Sequence, residues 1–315
     1  LTEFSTNKSI QAGFSLFLNS LQKKTGCKIY SFNNDFKSFD KRKNDLTQIR
    51  KYLDQNYQIY NSFNVEKFIN VNFEKNLFFE SKKKSKILLK KIKTKKQLLN
   101  LKIENIWIGD LLYDSYLKDE NKPTVDLELK IFKKYFLRFI YLLYFLFDFF
   151  KKNKIHSVVS SHTVYSSAIP IRIALSKNLT AYQVNFHNVF RLSKKKLFAY
   201  DLFHDYKKIF NKLKKKIKNK ALSISQRQCQ KRFSGKTGVD MYYSNKSAYL
   251  KITKKKLLKK SDKKKVLIAA HCFLDNPHPY GIKSIFNDFH EWLYYLGKIS
   301  KQTNYDWYIK THPDF

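Results

Sequence analysis

The chain has 315 residues, of which 43% are hydrophobic and 17% aromatic, so it is long enough for two domains with real cores and is not a disordered polymer. Its 63 Lys and Arg residues against 25 Asp and Glu residues give a formal net charge of +38, yet only seven of the cations are Arg. This composition argues against a specific nucleic-acid partner, because sequence readers rely on bidentate Arg contacts. The lysine excess fits either codon bias in an AT-rich genome or attraction to anionic membranes and substrates.

The cysteines and the apolar stretches indicate where in the cell the protein works. The three cysteines lie far apart and match no metal-ligand spacing, which is typical of a reduced cytoplasm. The most apolar stretch, residues 135–150, is broken by Arg138 and Asp148 and falls short of the roughly 20 residues that cross a bilayer. It predicts a buried helix, with an interfacial helix of a peripheral protein as the alternative. We therefore expect a cytoplasmic protein with peripheral contact to the anionic inner face of the membrane.

The first half of the chain predicts helices alternating with short strands. Residues 14–21 predict an amphipathic helix and residues 28–32 a strand. The lysine-dense residues 82–96 predict a solvated helix, since long lysine stems can cover apolar surface. Residues 104–110 predict a compact strand closed by Gly-Asp, and residues 127–150 a long helix.

Two β-α-β units follow and are the clearest pattern in the chain. Each has an apolar strand, a helix of crossover length and a second strand, at residues 155–160, 165–177 and 181–186, and again at residues 266–270, 285–299 and 306–309. Crossovers of this length imply parallel strands and a doubly wound α/β sheet.

The lysine runs indicate the domain organisation. We predict an N-terminal domain over residues 1–250, a Lys-rich linker over residues 251–265, and the beginning of a second domain over residues 266–315. About fifty residues are too few for a nucleotide-binding domain, which needs roughly 100. Because the chain starts at Leu1 and stops just after a predicted ligand loop, we expect both ends to be missing.

Polar side chains follow five of the predicted strands. They are Gly109 and Asp110, Ser161 and His162, Asn185 and His187, His271, and Lys310 and His312. The carboxyl ends of parallel strands gather ligands at one edge of a sheet, so we expect these groups to converge there. A lone histidine is more often a structural hydrogen-bonding group, and the prediction rests on the convergence.

Lys310 and His312 are the first candidates for binding an anion. Their i, i+2 spacing places both on one side of an extended segment, where an ammonium and an imidazole could grip one phosphate. Pro313 would stiffen the backbone and limit the entropy lost on binding. The alternative is a solvent-exposed turn after an edge strand.

Asp110 and Asp114 are candidates for acid-base chemistry. They are spaced i, i+4, so they share one face if the segment is helical. A carboxylate at this place could take a proton from a sugar hydroxyl, and Asp110 is favoured because it follows the predicted strand. The alternatives are a helix cap for Asp110 and charge balance near a helix start for Asp114.

Residues 271–281 carry His271, His278, Asp275 and two prolines. Two histidines and one aspartate in this arrangement match no common zinc spacing, so we expect no metal and no resident cofactor. The segment predicts a rigid loop over a ligand cleft, in which His271 donates to substrate. Asp114, His187 and His278 are further candidates for contact with substrate.

These residues together resemble the surface and capsule polysaccharide biosynthesis proteins of bacteria. The resemblance is carried by residues 106–117, by residues 161–165 and 233–236, and by the ending Ile309-Lys310-Thr311-His312-Pro313. It covers most of residues 106–315 and only loosely the first hundred. The family usually has a proline between the Lys and the His, where this chain has Thr311.

The resemblance implies a GT-B-like glycosyltransferase with two Rossmann-like domains, the second of them incomplete here. The first domain would hold a glycan or lipid-linked glycan acceptor, with Asp110 or His162 as the catalytic base. The second would hold a nucleotide-activated sugar as co-substrate, with His271, Lys310 and His312 on its phosphates and no metal. Alternatives are a polyol-phosphate transferase of the same architecture and a non-catalytic polyanion-binding protein.

Overall fold

The computed structural model describes residues 1–34, 58–185, 188–199, 206–236, 247, 249, 258–279 and 284–312. The chain divides into two compact units, which we call the first unit, residues 1–202 with 273–294, and the second unit, residues 203–272 with 295–315. Strands and helices occur in both, so the protein is α/β as the sequence predicts. The predicted domain boundaries at residues 250 and 266 remain predictions.

The structure contains ten strands in its described part, most of them short. They are β1 (Thr2–Glu3), β2 (Ile29–Asn33), β3 (Val65–Asn70), β4 (Lys102–Ile103), β5 (Ile106–Trp107), β6 (Ser157–Ser160), β7 (Thr180–Val184), β8 (Val189–Leu192), β9 (Lys265–Ala269) and β10 (Asp306–Lys310). Six of them form the sheet of the first unit in the order β3-β2-β1-β6-β7-β8. The β3-β2-β1-β6-β7 neighbours are parallel, and β8 pairs antiparallel with β7, so the sheet is mixed.

The helices flank these strands. They are α1 (Lys8–Thr25), α2 (Gln58–Asn61), α3 (Lys75–Lys91), α4 (Lys95–Leu99), α5 (Gly109–Asp119), α6 (Lys130–Lys152), α7 (Ile169–Ser176), α8 (Tyr206–Lys212), α9 (Lys215–Phe233) and α10 (Phe289–Ser300). Local signals set the ends of α1, since the Asn7 side chain accepts from the Ser9 amide at 3.0 Å and Gly26 ends the helix with φ 64°.

Both predicted β-α-β units are present. In the first, α7 connects the parallel strands β6 and β7. In the second, α10 connects the parallel strands β9 and β10, which form a two-stranded sheet of their own. The alternation of apolar runs therefore identified both the elements and their direction.

The predicted strand over residues 104–110 differs from the observed structure. Glu104 and Asn105 have φ values of 50° and 62°, and they turn the chain into an antiparallel hairpin of β4 and β5. Two consecutive left-handed residues are the geometry of a tight hairpin turn. The hairpin lies outside the six-stranded sheet, so Gly109 and Asp110 do not follow a strand of that sheet but begin α5.

The expected convergence of five strand ends at one sheet edge is likewise not observed. Ser161, His162 and Asn185 follow strands of the six-stranded sheet, whereas His271, Lys310 and His312 follow the separate pair of β9 and β10. An apolar run gives the existence of a strand and its direction but not the sheet that it joins. His187 lies outside the described residues.

The main core is built around α5 and α6. Every residue of α5 from Gly109 to Leu117 is buried, and α6 buries ten side chains, so the apolar stretch at residues 135–150 is the buried helix that its sequence predicts. In the part of the chain that the structure describes, none of the helices combines the length and the hydropathy that crossing a bilayer requires.

Gly109 is required where α5 begins against α4. A Cβ atom at this position would overlap the backbone carbonyl oxygens of Leu98 and Leu99, which cannot rotate away as side-chain atoms can. The start of α5 can approach α4 this closely only because residue 109 has no side chain.

We expect Gly109→Ala to lower the free energy of unfolding by about 1–3 kcal/mol, because the backbone must shift to relieve the overlap. The matched control is Gly297→Ala in α10, where an added Cβ has no atom within 4 Å. Since alanine is the better helix former, this control should raise the free energy of unfolding by about 0.5–1 kcal/mol. Urea denaturation followed by circular dichroism checks both values, and equal effects would contradict the assigned role of Gly109.

Candidate functional site

The second unit brings two of the predicted anion-binding residues together. Lys310 pairs with Ala269 in the β9–β10 register, and the Ala270 amide donates to the Lys310 carbonyl at 2.9 Å. The chain therefore leaves both parallel strands at the same edge. There the rings of His271 and His312 lie with their centroids 5.7 Å apart.

This edge has the chemistry of an anion site. His271 and Lys310 are exposed and His312 is half-buried, so a ligand can reach all three. Imidazole N–H groups and an ammonium are donors suited to phosphate oxygens, and the carboxyl end of parallel strands is where α/β proteins bind such ligands. We call His271, Lys310 and His312 the anion edge. Pro313, which the sequence predicts to stiffen it, lies outside the described residues.

The first unit presents a second polar group at the carboxyl edge of its own sheet. The Glu3 carboxylate at the end of β1 accepts hydrogen bonds from the Ser160 hydroxyl at 2.8 Å, the Ser161 amide at 2.7 Å and the Ser161 hydroxyl at 2.6 Å. The Gln183 side-chain amide donates to the Ser161 carbonyl at 2.6 Å. Three neighbouring strands, β1, β6 and β7, thus fix the position of Ser161.

His162 is held by the same group. Its Nδ1 lies 2.6 Å from the Ser161 hydroxyl oxygen. An ionised carboxylate only accepts, so the Ser161 hydroxyl donates its single proton to Glu3, and Nδ1 of His162 must be the donor to Ser161. The proton on Nδ1 leaves Nε2 as the basic nitrogen of the neutral ring.

The surroundings keep His162 neutral. Although the residue is exposed, the protein atoms around its ring lower its pKa below the ordinary value of 6.5 by desolvation, and the nearby Lys118 ammonium lowers it further. Glu3 and Asp275 act in the opposite direction and raise it less. A neutral imidazole with a free lone pair on Nε2 is the form that can act as a general base at neutral pH.

The turn after His162 has a strained backbone. Tyr165 has φ 58° and ψ −171°, a region that is almost restricted to glycine and costs about 1–3 kcal/mol. Its hydroxyl donates to Asp275 at 2.7 Å, and the Lys118 ammonium lies 4.1 Å from its ring centroid. Such strain is commonly retained at binding sites, which supports a functional role for this turn.

A cleft of about 540 Å³ opens beside this turn. Its walls include Asn34, Lys118, Arg138, Tyr165, Ser166 and Ser167. Asp119 and Glu120 also line the cleft and pair with Arg138 at 3.9 and 3.3 Å. These charged groups, with an amide, a phenol and two serine hydroxyls, can hydrogen-bond a polyhydroxyl ligand. His162, Glu3 and Ser161 do not line the cleft themselves but precede its Tyr165 wall along the chain or contact β6. We call these three residues and the cleft beside them the sheet-edge site.

A larger cleft of about 1050 Å³ lies elsewhere on the first unit. Its walls include Trp107, Tyr144 and the lysines that precede β6 and β7, so it adjoins the amino ends of these strands. None of the described candidate residues lines either cleft. Because ligands of open α/β sheets bind at the carboxyl ends, the smaller cleft, beside the turn that follows β6, has the more favourable position for a ligand.

Asp110 is buried and paired with a cation. The Arg172 guanidinium donates to its Oδ2 at 2.7 Å and to the Trp107 carbonyl at 3.1 Å. Its central carbon lies 4.8 Å from the ring centroid of Trp107 and 5.2 Å from that of Phe198. Burial raises the pKa of Asp110, while Arg172 opposes this shift. An interior carboxylate cannot meet an acceptor hydroxyl without opening the core, so among the two predicted catalytic residues the geometry favours His162.

Asp114 and His278 form a second buried pair on α5. Nδ1 of His278 lies 2.5 Å from the Asp114 carboxylate, and Nε2 lies 2.9 Å from the Asn287 carbonyl. A carbonyl only accepts, so Nε2 carries a proton, and a further proton is shared between Nδ1 and the carboxylate. These two predicted substrate-contacting residues therefore contact each other and attach residues 273–294 to α5.

Burial and charge act on both members of this pair. Burial raises the pKa of Asp114 to about 6, although His278 counteracts the shift. Burial alone would lower the pKa of His278, but the hydrogen bond and the charge of Asp114 raise it above 6.5.

A third buried carboxylate, Asp288, fastens the same segment. It accepts hydrogen bonds from the Tyr113 hydroxyl, from the Thr124 hydroxyl at 2.5 Å and from the Lys95 ammonium at 3.5 Å. It also caps α10 through the Glu291 amide at 2.8 Å. Burial would raise the pKa of Asp288, but these donors outweigh it and lower the pKa.

Sequence reasoning missed Glu3, Arg172 and the contact of Asp275 with Tyr165. Glu3 lies on a two-residue strand, which has no periodicity to detect. Arg172 is 62 residues from Asp110, and a buried cation within an apolar helix was the one available signal. Within the described ranges, no cluster of three or more His, Cys, Asp or Glu side chains could hold a metal ion.

Comparison with known proteins does not assign the site. No family model, no curated protein and no solved structure matches the chain. The roles of these residues therefore follow from their geometry and chemistry.

We expect Asp114→Asn to flatten the pH dependence of stability. In the wild type the raised pKa makes the folded state bind more protons than the unfolded state, so the contribution of Asp114 is present below about pH 4 and is lost as the pH rises through about 6. The free energy of unfolding should fall by about 1–3 kcal/mol over this pH range. The stability should continue to fall above pH 6.5, because the pKa of His278 is also raised in the folded state.

Calorimetric Tm values of wild type and variant between about pH 4 and pH 8 check this expectation. The exposed Asp262, changed to Asn, shows the effect of removing one carboxylate outside the pair. Parallel Tm curves for wild type and Asp114→Asn would contradict the shared proton.

Proposed function

We propose that the protein is a glycosyltransferase that moves a sugar from a nucleotide-activated donor to a growing surface or capsular polysaccharide. The observation that carries the proposal is the anion edge, where His271, Lys310 and His312 follow two adjacent parallel strands. The proposed architecture is GT-B-like, with two Rossmann-like domains. The β-α-β units in both described units support it.

The anion edge would bind the donor phosphates. When the bond between the anomeric carbon and the phosphate oxygen breaks, negative charge grows on that oxygen. An ammonium and imidazole donors placed there stabilise the transition state more than the ground state, which is the condition for catalysis. In this proposal the three side chains stabilise the charge on the departing phosphate, and no metal is assigned a role.

The sheet-edge site would activate the acceptor. Nε2 of His162 takes the proton of an acceptor hydroxyl while its oxygen forms the new bond to the anomeric carbon. Ser161 and Glu3 hold the ring in the tautomer that leaves Nε2 basic. The polar walls of the cleft suit a glycan or a lipid-linked glycan as the acceptor, on the cytoplasmic side of the membrane.

A polyol-phosphate transferase would use the same anion edge. The second candidate rests on this shared phosphate chemistry and differs in the group transferred. A glycosyltransferase releases a nucleotide that keeps all its phosphates, whereas a polyol-phosphate transferase releases a nucleotide shortened by one phosphate. Identification of the released nucleotide separates the two.

We expect Lys310→Ala and His312→Ala each to weaken nucleotide binding by about 1–3 kcal/mol, or roughly 5- to 150-fold, because each removes a donor to the phosphates. Isothermal titration with UDP, GDP and CMP measures the affinity. Lys265→Ala is the matched control, since Lys265 is an exposed lysine at the opposite end of β9. Wild-type affinity in both test variants, or equal loss in the control, would reject the anion edge.

We expect His162→Ala to lower the rate of sugar transfer by about 10²- to 10⁴-fold with little change in nucleotide affinity, since it removes a base and no phosphate contact. In the wild type, kcat/KM should rise with pH as His162 loses its proton, with a midpoint below 6.5. Ser161→Ala should move this midpoint, because Nδ1 loses its acceptor. A pH profile unchanged by both substitutions would rule out His162 as the base.

A further inference from the structure

Helices α8 and α9 have no buried face. None of their described residues is buried. Residues 206–236, which we call the basic arm, carry twelve Lys and Arg residues and no Asp or Glu. A helical segment with this charge and no buried side chain leaves both its cations and its apolar residues largely to solvent.

The cations of α9 are ordered along the helix. Lys216, Lys220, Arg227 and Lys231 follow at intervals of four, seven and four residues, so they lie in one stripe on the helix surface. Like charges at these spacings repel one another. An anionic surface in contact with the stripe would remove the repulsion.

Large apolar side chains of the basic arm are also exposed. Tyr206 is 68% exposed, Ile209 58%, Ile217 50%, Leu222 51% and Phe233 60%. Cationic residues interleaved with exposed aliphatic and aromatic residues are the composition of helices that lie in a membrane interface.

Helix α3 shows that lysine content alone does not produce this arrangement. It is also rich in lysine, but it contains Glu80, and it buries Ser81 and Ser85 in the first unit. Codon bias can account for lysines on a helix that packs against the core. It does not account for a helical arm that lacks acidic residues and whose helices have no buried side chain, since α3 also exposes Phe79 and Ile87 but is anchored by its buried serines.

We propose that the basic arm docks on the surface of an anionic phospholipid bilayer. Its lysines and arginines contact the lipid headgroups, and the exposed Ile217 and Ile224, which lie beside the cation stripe on α9, enter the boundary between headgroups and acyl chains. A soluble polyanion matches the charges but offers no apolar phase to these side chains. The inference concerns membrane attachment and does not depend on the proposed transfer reaction.

Vesicle co-sedimentation of the whole chain tests the proposal. Vesicles of phosphatidylcholine with about 30 mol% phosphatidylglycerol should bind the protein, and pure phosphatidylcholine vesicles should bind it far less. The variant with Lys216, Lys220, Arg227 and Lys231 all changed to Gln should lose about 100-fold or more in partitioning. Circular dichroism checks folding, which should persist because none of the four residues is buried.

The control removes the same number of charges from α3, with Lys83, Lys86, Lys90 and Lys91, all exposed, changed to Gln. It should retain most of the binding. Equal loss in the two variants would overturn the proposal, because net charge alone would then explain the attraction. Equal binding to both kinds of vesicle would overturn it as well.

Ile217→Trp, beside the cation stripe, separates the membrane from a soluble polyanion. The fluorescence of the introduced indole should shift to shorter wavelength on the anionic vesicles and be quenched by brominated lipids, since the side chain enters the apolar boundary. Soluble polyphosphate should leave the emission unchanged. Binding to polyphosphate without binding to vesicles, or a vesicle-bound variant in which the added fluorescence stays unquenched, would overturn the proposal.

Discussion

The first unit depends on how α5 accommodates two carboxylates in the core. Nine consecutive residues of this helix are buried, so Asp110 and Asp114 cannot reach water. Asp110 is paired with Arg172 of α7. Asp114 shares a proton with His278, which lies in residues 273–294. Removing one partner of such a pair typically costs about 3–5 kcal/mol, because the other is left buried and uncompensated. The ion pair of Asp110 with Arg172 thus fixes α7 against α5, and the contact of Asp114 with His278 fixes residues 273–294 against the same helix.

A carboxylate also organises the sheet edge, with a different result. At His278 the carboxylate contacts the imidazole directly and raises its pKa. At His162 the Ser161 hydroxyl stands between Glu3 and the ring, and desolvation with the Lys118 charge lowers the pKa. His278 therefore keeps a proton within the core, whereas His162 is neutral with Nε2 as its basic nitrogen, although both lie within hydrogen-bond networks that end in a carboxylate.

Much of the fold could be predicted from the sequence, but less of the site could be. Both β-α-β units were predicted because long apolar runs alternate with helical periods. The strand at residues 104–110 was misplaced because Glu104 and Asn105 turn the chain into a hairpin. The i, i+4 spacing of Asp110 and Asp114 predicted that they share one face of a helix, but not that this face is buried. Their partners could not be predicted, because they are 62 and 164 residues away in the sequence. His271 and His312 did meet, since neighbouring parallel strands must end at one edge.

Desolvation and the Lys118 charge keep His162 neutral, whereas the Asp114 carboxylate keeps a proton on His278 to higher pH. Nitrogen-15 NMR of the histidine-labelled protein, titrated with acid and base, measures the tautomer and pKa of each ring, and His162→Gln and His278→Gln assign the signals. We predict that His162 is neutral at pH 7 with its proton on Nδ1 and a pKa below 6.5, whereas His278 titrates above 6.5. A His162 ring that carries its proton on Nε2, or that titrates above His278, would contradict the account.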